Sequence, residues 1–355
     1  MLTIFSIFLT LVFIEFIIGN IWLKNHHNRP DKFSKEFYKK YYKKLHHLRE
    51  FRDDKYKHGL MYTIIDEKID YNKFKSTVLI NGDSWSEFLL KDIVLKEIIK
   101  IKRKERINLI ISGTSSYSFS PTTVQLKILR EDFNINPNMI ITMIDHTDVG
   151  DEICRYKNKL EFDEDGTLLR VRPESFFSGE IYSVQPYLAK VDIYDSKDLN
   201  IIKYIKNKIL RKKLREKKVF SSIVCTYAKI MQPVKLGLNK DEYIHLKEAT
   251  LRYIDTVFSD KNVEKLLLVV HPHMKHFTGQ YKFYFGNFLK EILQENTYKN
   301  KIILLDFNEF FYEVYFNGDK SKNYQDIYWI DDPSSHINVP ARIPFIKKVF
   351  NELLY

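Results

Sequence analysis

Thr77-Val-Leu-Ile-Asn-Gly-Asp-Ser-Trp-Ser-Glu87 is the stretch on which the fold turns. Its first five residues are mostly apolar and β-branched with no polar alternation, the pattern of a strand covered on both faces, as in a parallel sheet. Gly82 and Asp83 interrupt that run. Beyond them Phe88 to Ile101 carries apolar residues at Leu89, Leu90, Ile93, Val94 and Ile98, which is helical spacing. The same alternation recurs along the chain. Strands are expected at Asn108 to Ile111, Met139 to Ile144, Lys265 to Val270 and Lys301 to Asp306. Helices are expected near Thr123 to Phe133, Asp241 to Phe258, Tyr281 to Gln294 and Pro340 to Leu354. Strands alternating with helices indicate an α/β fold: a mostly parallel five-stranded sheet with helices on both faces.

Between the third and fourth of these strands lies an insertion, about 156–234, that the alternation does not explain. Its first part, from Leu160 through the turn Asp163-Glu-Asp-Gly166 to Ile193, reads as a β-hairpin or small β-subdomain. Its second part, Leu199 to Lys218, reads as a basic amphipathic helix with Ile201, Ile202, Ile205, Ile209 and Leu214 on one side. Such a helix packs on its own domain with its lysines in water, or lies on an anionic surface.

The start of the chain is of another kind. Leu2 to Leu23 is apolar apart from Glu15, Asn20 and a few hydroxyls, and about 20 such residues span a bilayer core as a helix. No basic residues precede the run and no small-x-small cleavage site follows it, so residues 1–23 are expected to be a single-pass membrane anchor, not a removed signal peptide. A basic connector, 24–75, follows, with Lys24, Arg29, Lys32, Lys35, Lys39, Lys40, Lys43 and Lys44 close behind the anchor. By the positive-inside tendency that flank puts the body, 76–355, in the cytoplasm.

Composition bounds the rest. In 355 residues, 44% hydrophobic and 15% aromatic, there is material for a large core, which excludes disorder as the main state. The 57 Lys and Arg against 46 Asp and Glu give a formal charge of +11. Charge alone is a weak nucleic-acid footprint, and with no binding motif beside it no nucleic-acid partner is expected. Cys154 and Cys225 exclude a disulfide-stapled module and a cysteine-rich zinc site, allow at most one bridge, and read most simply as buried thiols.

A serine at the C-terminal end of a parallel strand, with a helix starting just beyond, stands where ligands collect in open α/β sheets. Helix N–H groups there favour developing negative charge. Ser84 occupies that place, although Asp83 and Ser84 are also ordinary helix caps. A serine hydroxyl needs a base within hydrogen-bond reach, itself oriented by a third group. Trp329-Ile-Asp-Asp-Pro-Ser-Ser-His-Ile-Asn338 can supply both from one loop before the last helix: His336 as base and Asp332 behind it. A third loop, Val270-His-Pro-His-Met-Lys-His276, follows the fourth strand and brings His271 and His273 to the same edge as candidate substrate contacts. Without a carboxylate or cysteine set at known spacing, these histidines with His276 do not define a metal site. No metal or other cofactor is expected.

These residues carry a resemblance. Gly82-Asp83-Ser84, the pair Ser112-Gly113 after the second strand, the acidic loop Asp145-His-Thr-Asp148 after the third, and the final Asp…His-x-Asn loop together resemble the SGNH/GDSL hydrolase superfamily, from Thr77 to Phe350. The resemblance implies a flavodoxin-like three-layer α/β/α fold with Ser84 as nucleophile, His336 as base and Asp332 as the triad acid. It also implies an oxyanion hole of the Ser84 and Gly113 N–H groups and a third donor. Two departures stand out. Thr147 occupies the place of the family's oxyanion asparagine, and the acid lies four residues before the histidine where three are usual, so Asp331 competes with Asp332. Asp83, Trp85, His146 and Asp148 join His271 and His273 as candidate substrate contacts. The expected function is a membrane-anchored serine hydrolase of acyl esters on a cell-surface glycan or lipid-linked precursor. Its alternatives are an O-acyltransferase using the same residues and a non-catalytic, membrane-tethered glycan-binding or assembly module. The family setting suggests the periplasmic side, against the lysine flank.

Overall fold

The computed structural model describes residues 62–172 and 233–355 except 66–68, 88, 90, 91, 280 and 329–335, together with 6, 10, 12–15, 17, 18, 41, 44, 45, 57, 58 and 201. The chain divides into two units, Met1–Leu48 with Arg172–Cys225 and Arg49–Val171 with Thr226–Tyr355. In the first, Glu15 accepts from the Ile201 N–H at 3.1 Å. Among the described residues no helix is long and apolar enough to cross a membrane. Most of the expected anchor, most of the basic connector, and the basic amphipathic helix apart from Ile201 lie outside the described residues.

The second unit is an α/β domain. Its strands are β1 (Lys57–His58), β2 (Thr63–Ile64), β3 (Ser76–Gly82), β4 (Ile107–Ile111), β5 (Met139–Ile144), β6 (Leu160–Phe162), β7 (Leu168–Val171), β8 (Lys265–Val270) and β9 (Ile302–Asp306). A seven-stranded sheet runs in the order β1-β2-β4-β3-β5-β8-β9. The pairs β4–β3, β3–β5, β5–β8 and β8–β9 are parallel, so the five expected strands form the parallel body. The sheet is larger than expected because two short antiparallel strands, β1 and β2, extend it beyond β4. Two-residue strands carry no readable alternation. The insertion begins with a hairpin, β6 with β7, joined across Asp163–Gly166 as expected up to Val171; beyond Arg172 it lies outside the described residues until residue 233, apart from Ile201.

The helices of this unit are α1 (Ser84–Glu87), α2 (Asp92–Glu105), α3 (Phe119–Phe133), α4 (His146–Gly150), α5 (Lys240–Phe258), α6 (Phe285–Gln294), α7 (Phe307–Phe316) and α8 (Val339–Leu354). Side chains alternate between sheet faces, and β3 shows what each face meets. Val78 and Ile80 are buried in one cluster with Val94 and Ile98 of α2, Phe311 of α7 and Phe345 and Val349 of α8. Asn81 points the other way and donates to the Tyr253 hydroxyl of α5 at 3.1 Å. The three layers follow from that split. Helix starts are fixed locally: Asn239 and Glu242 form a capping box on α5, and the Asn338 side chain accepts from the Ala341 N–H while Pro340 sits in the first turn of α8. Ser118 makes no such local bond at α3. There the buried Glu152 carboxylate serves instead, accepting from the Ser120 N–H at 3.0 Å and the Ser120 hydroxyl at 2.5 Å, with the Ser118 hydroxyl and His245 Nε2 as further partners.

Candidate active site

β3 lies between β4 and β5, so its C-terminal end opens at the middle of the sheet edge where ligands collect. Gly82 makes the turn there. Its φ of +105° and the 2.0 Å gap that a Cβ would leave to the Met143 carbonyl oxygen both require glycine. The chain then enters α1, and Asp83 holds that entry by accepting from the Trp85 N–H at 2.9 Å. Ser84 thus begins a helix, where its own N–H has no intrahelical partner.

Across 252 residues of sequence, His336 arrives at the mouth of α8, and its Nε2 lies 2.8 Å from Ser84 Oγ. Ser84 is partly exposed and His336 nearly buried, so the pair is open to solvent on the serine side. Asp331 and Asp332 lie outside the described residues. Beside the pair a small depression, with room for about one water molecule, is lined by Trp85, Leu89, His336, Ile337, Arg342 and Phe345. Gly113 stands against α1 at van der Waals distance or closer, since a Cβ on it would reach 2.1 Å from Ser86 Cβ and 2.7 Å from the Glu87 nitrogen. Among the described residues nothing accepts from the Gly113 N–H.

Thr147 is differently employed. Its hydroxyl and N–H both donate to Asp145 Oδ1, in a capping box that also joins Asp148 Oδ2 to the Asp145 N–H at 2.7 Å. The candidate substrate contacts Asp83, Trp85, His146, Asp148, His271 and His273 are all buried. His271 Nε2 reaches Asp83 Oδ2 at 2.7 Å, and its ring stacks on Trp85 at 3.7 Å between centroids. His273 Nδ1 accepts from the Tyr281 hydroxyl at 2.9 Å. His146 stacks on Tyr281 at 4.9 Å, and among the described residues neither of its ring nitrogens has a hydrogen-bond partner. Cys154 is disulfide-bonded, which corrects the reading of a buried thiol; Cys225 lies outside the described residues.

Burial dominates the electrostatics behind the serine. It raises Asp83 to about 7, opposed by the Trp85 N–H and the nearby His336. It raises Asp145, and it raises Asp148 well above the ordinary carboxylate range with Asp83 and Asp145 adding to the effect. Asp151 is pushed to about 7 by burial although Arg155 stands 3.3 Å away. His271 and His273 are held well below the usual imidazole value, and His146 is lowered to about 3, burial being the main cause each time. These imidazoles are therefore neutral near pH 7. Sequence patterns singled out Asp83, Asp148 and His271 one by one but did not show that they, with Asp145, meet behind the serine; no periodicity reports a contact between three separate strand ends.

No family model matches the chain, and no curated protein matches it. Solved structures do. A catalytic mutant of an acetylxylan esterase from Geobacillus stearothermophilus is similar over 81% of this chain and 97% of its own, at 14% identity and a TM-score of 0.38. A lipase from a goat rumen metagenome is similar over 78% of this chain and 96% of its own, at 13% identity and a TM-score of 0.37.

Proposed function

We propose that the chain is a serine hydrolase of carboxylic esters, of SGNH type, in which Ser84 is the nucleophile and His336 the base. The observation that carries this reading is the 2.8 Å approach of Ser84 Oγ to His336 Nε2, within the range a general base needs. His336 Nε2 takes the Ser84 proton as Oγ bonds to the ester carbonyl carbon. The carbonyl oxygen becomes an oxyanion that accepts from the Ser84 and Gly113 N–H groups. Collapse expels the alcohol, which receives the proton from His336, and a water activated by the same imidazole then releases the acid from Ser84. Asp332, or Asp331 beside it, orients His336. The small apolar depression beside His336, walled by Trp85, Leu89, Ile337 and Phe345, has room for no more than a short acyl group such as acetyl.

Thr147 gives its hydroxyl to Asp145, so the oxyanion rests on two backbone donors and activity is modest: one missing donor costs about 10²–10³ in rate. The substrate is an acyl ester on a glycan or lipid-linked precursor held near the bilayer that residues 2–23 enter. The Cys154 disulfide supports the oxidising side of that membrane, opposite to the side the lysine flank favours. A fluorophosphonate probe tests the chemistry: the full chain is labelled and Ser84→Ala is not. Absence of label on folded wild-type protein would leave the non-catalytic binding module. A phosphatase fused after Tyr355 tests sidedness, being active only if the domain is outside.

A further inference from the structure

Three carboxyl groups meet behind Ser84, and each is fixed by a backbone donor on one oxygen only. Asp83 Oδ1 accepts from the Trp85 N–H, Asp145 Oδ1 from the Thr147 and Asp148 N–H groups, and Asp148 Oδ2 from the Asp145 N–H. The second oxygens remain. Asp83 Oδ2 and Asp145 Oδ2 lie 2.7 and 3.6 Å from His271 Nε2, and one ligand atom from each of these three side chains falls within 4.8 Å of the others. Among the described residues no N–H or hydroxyl donates to the buried Asp148 Oδ1, and the Asp148 and Asp83 carboxyls stand close enough to share a hydrogen bond. Among the described residues no lysine or arginine pairs with Asp83, Asp145 or Asp148; Arg155 is occupied by Asp151.

An imidazole nitrogen carries at most one proton, so His271 Nε2 can donate to one of the two oxygens it faces and leaves the other without a donor from it. Like charges gathered in a dry interior need protons or a cation between them. We propose that Asp83, Asp145 and His271 bind one divalent first-row cation, Mn²⁺ or Zn²⁺, with Asp148 as a fourth, adjoining carboxylate. Metal–ligand bonds of about 2.1 Å set ligand atoms about 3.0 Å apart in an octahedron and about 3.4 Å in a tetrahedron, so the 3.6 Å separation is close to that spacing and the 2.7 Å hydrogen bond opens by a few tenths of an ångström when the ion enters. Carboxylate oxygens with one imidazole suit Mn²⁺ or Zn²⁺ better than copper or an alkaline-earth ion.

The site has a clear mechanical role. Asp83 closes β3, Asp145 closes β5 and His271 closes β8, so one ion ties together the C-terminal ends of three neighbouring parallel strands. Those ends include the turn that presents Ser84. The ion positions the nucleophile and does not touch the ester, and the proposal stands whether or not Ser84 is catalytic.

Because all three side chains are buried, exchange is slow, and the ion is loaded during folding. The test is elemental analysis of the full chain as isolated in detergent, then unfolding and refolding with a chelator, with and without MnCl₂ or ZnCl₂. About one Mn²⁺ or Zn²⁺ per chain is expected, with a lower melting temperature after metal-free refolding that either salt restores. Asp145→Asn keeps a side-chain acceptor for the helix cap and removes the charge, and at least a tenfold loss of bound metal is expected. Folded wild-type chain that holds no metal, with a melting point indifferent to both salts, overturns the proposal in favour of shared protons. So does metal retained in full by Asp145→Asn and by His271→Gln. Fluorophosphonate labelling of Ser84 is read separately on the same samples, so failure of the ester chemistry is distinguished from failure of the metal site.

Discussion

Replacing Gly113 by alanine adds one methyl group at the place where the β4 loop leans on the nucleophile helix. That methyl would stand 2.1 Å from Ser86 Cβ and 2.7 Å from the Glu87 nitrogen, both on α1 and thus unable to swing aside as a long side chain would. Unstrained carbon contacts begin near about 3.5 Å, so the loop and α1 must part by more than about 1 Å. An oxyanion donor works at about 2.7–3.1 Å, and moving the Gly113 N–H back by that distance removes its bond. The expected loss is about 10²–10³ in kcat with KM little changed, because the donor acts on the transition state and not on the bound ester. Overpacking of this size also costs about 1–3 kcal/mol of stability. The assay is hydrolysis of p-nitrophenyl acetate by the full chain, with melting measured in parallel. Gly166→Ala is the control, since its φ of +78° makes alanine strained while no atom lies within 4 Å of the new methyl; it lowers stability and leaves kcat alone. A Gly113→Ala protein that keeps kcat within about threefold of wild type would refute the placing of the second oxyanion donor.

Two further outcomes are expected. His146 is buried with both ring nitrogens unpartnered among the described residues and its pKa lowered to about 3. The folded state therefore refuses a proton that the unfolded chain accepts below about 6.5, so this group's stability contribution is complete above pH 6.5 and is lost as pH falls toward 3. His146→Phe keeps the ring stacked on Tyr281, and urea titrations should show wild type losing stability between pH 6.5 and 4 more steeply than the variant; equal slopes would exclude His146 as the source. Glu152→Ala strips the buried acceptor from Ser118 and Ser120 at the start of α3, and a loss of about 3–5 kcal/mol by denaturant titration is expected, against no measurable loss if water replaces the carboxylate.

The parallel body was legible because each of its five strands is a mostly apolar run without polar alternation, the pattern of a strand buried on both faces. β1 and β2 were not, since two residues cannot show a period. α7 escaped for a different reason. It follows β9 with no intervening loop, Asp306 serving both as last strand residue and as cap to the Asn308 N–H, and its run of aromatics buries only Phe307 and Phe311. The approach of Ser84 to His336 was anticipated from chemistry, because a serine at a strand end and a histidine before a helix can be matched by residue type and position. The grouping of Asp83, Asp145 and His271 was hidden for the converse reason: three side chains that meet only when β3, β5 and β8 align leave no mark along the chain. Thr147 shows the same limit from another side, for its place just beyond β5 was readable but its bond to Asp145 was not.

The separation of 252 positions from Ser84 to His336 also sets a clock on biosynthesis. At about 5–20 residues per second a ribosome needs about 13–50 s to pass from one to the other. Throughout that interval the emerging alcohol has no imidazole to activate it and is as inert as any surface serine. On the proposed reading, a chain that stalls before the last helix carries Ser84 without the imidazole that would activate it.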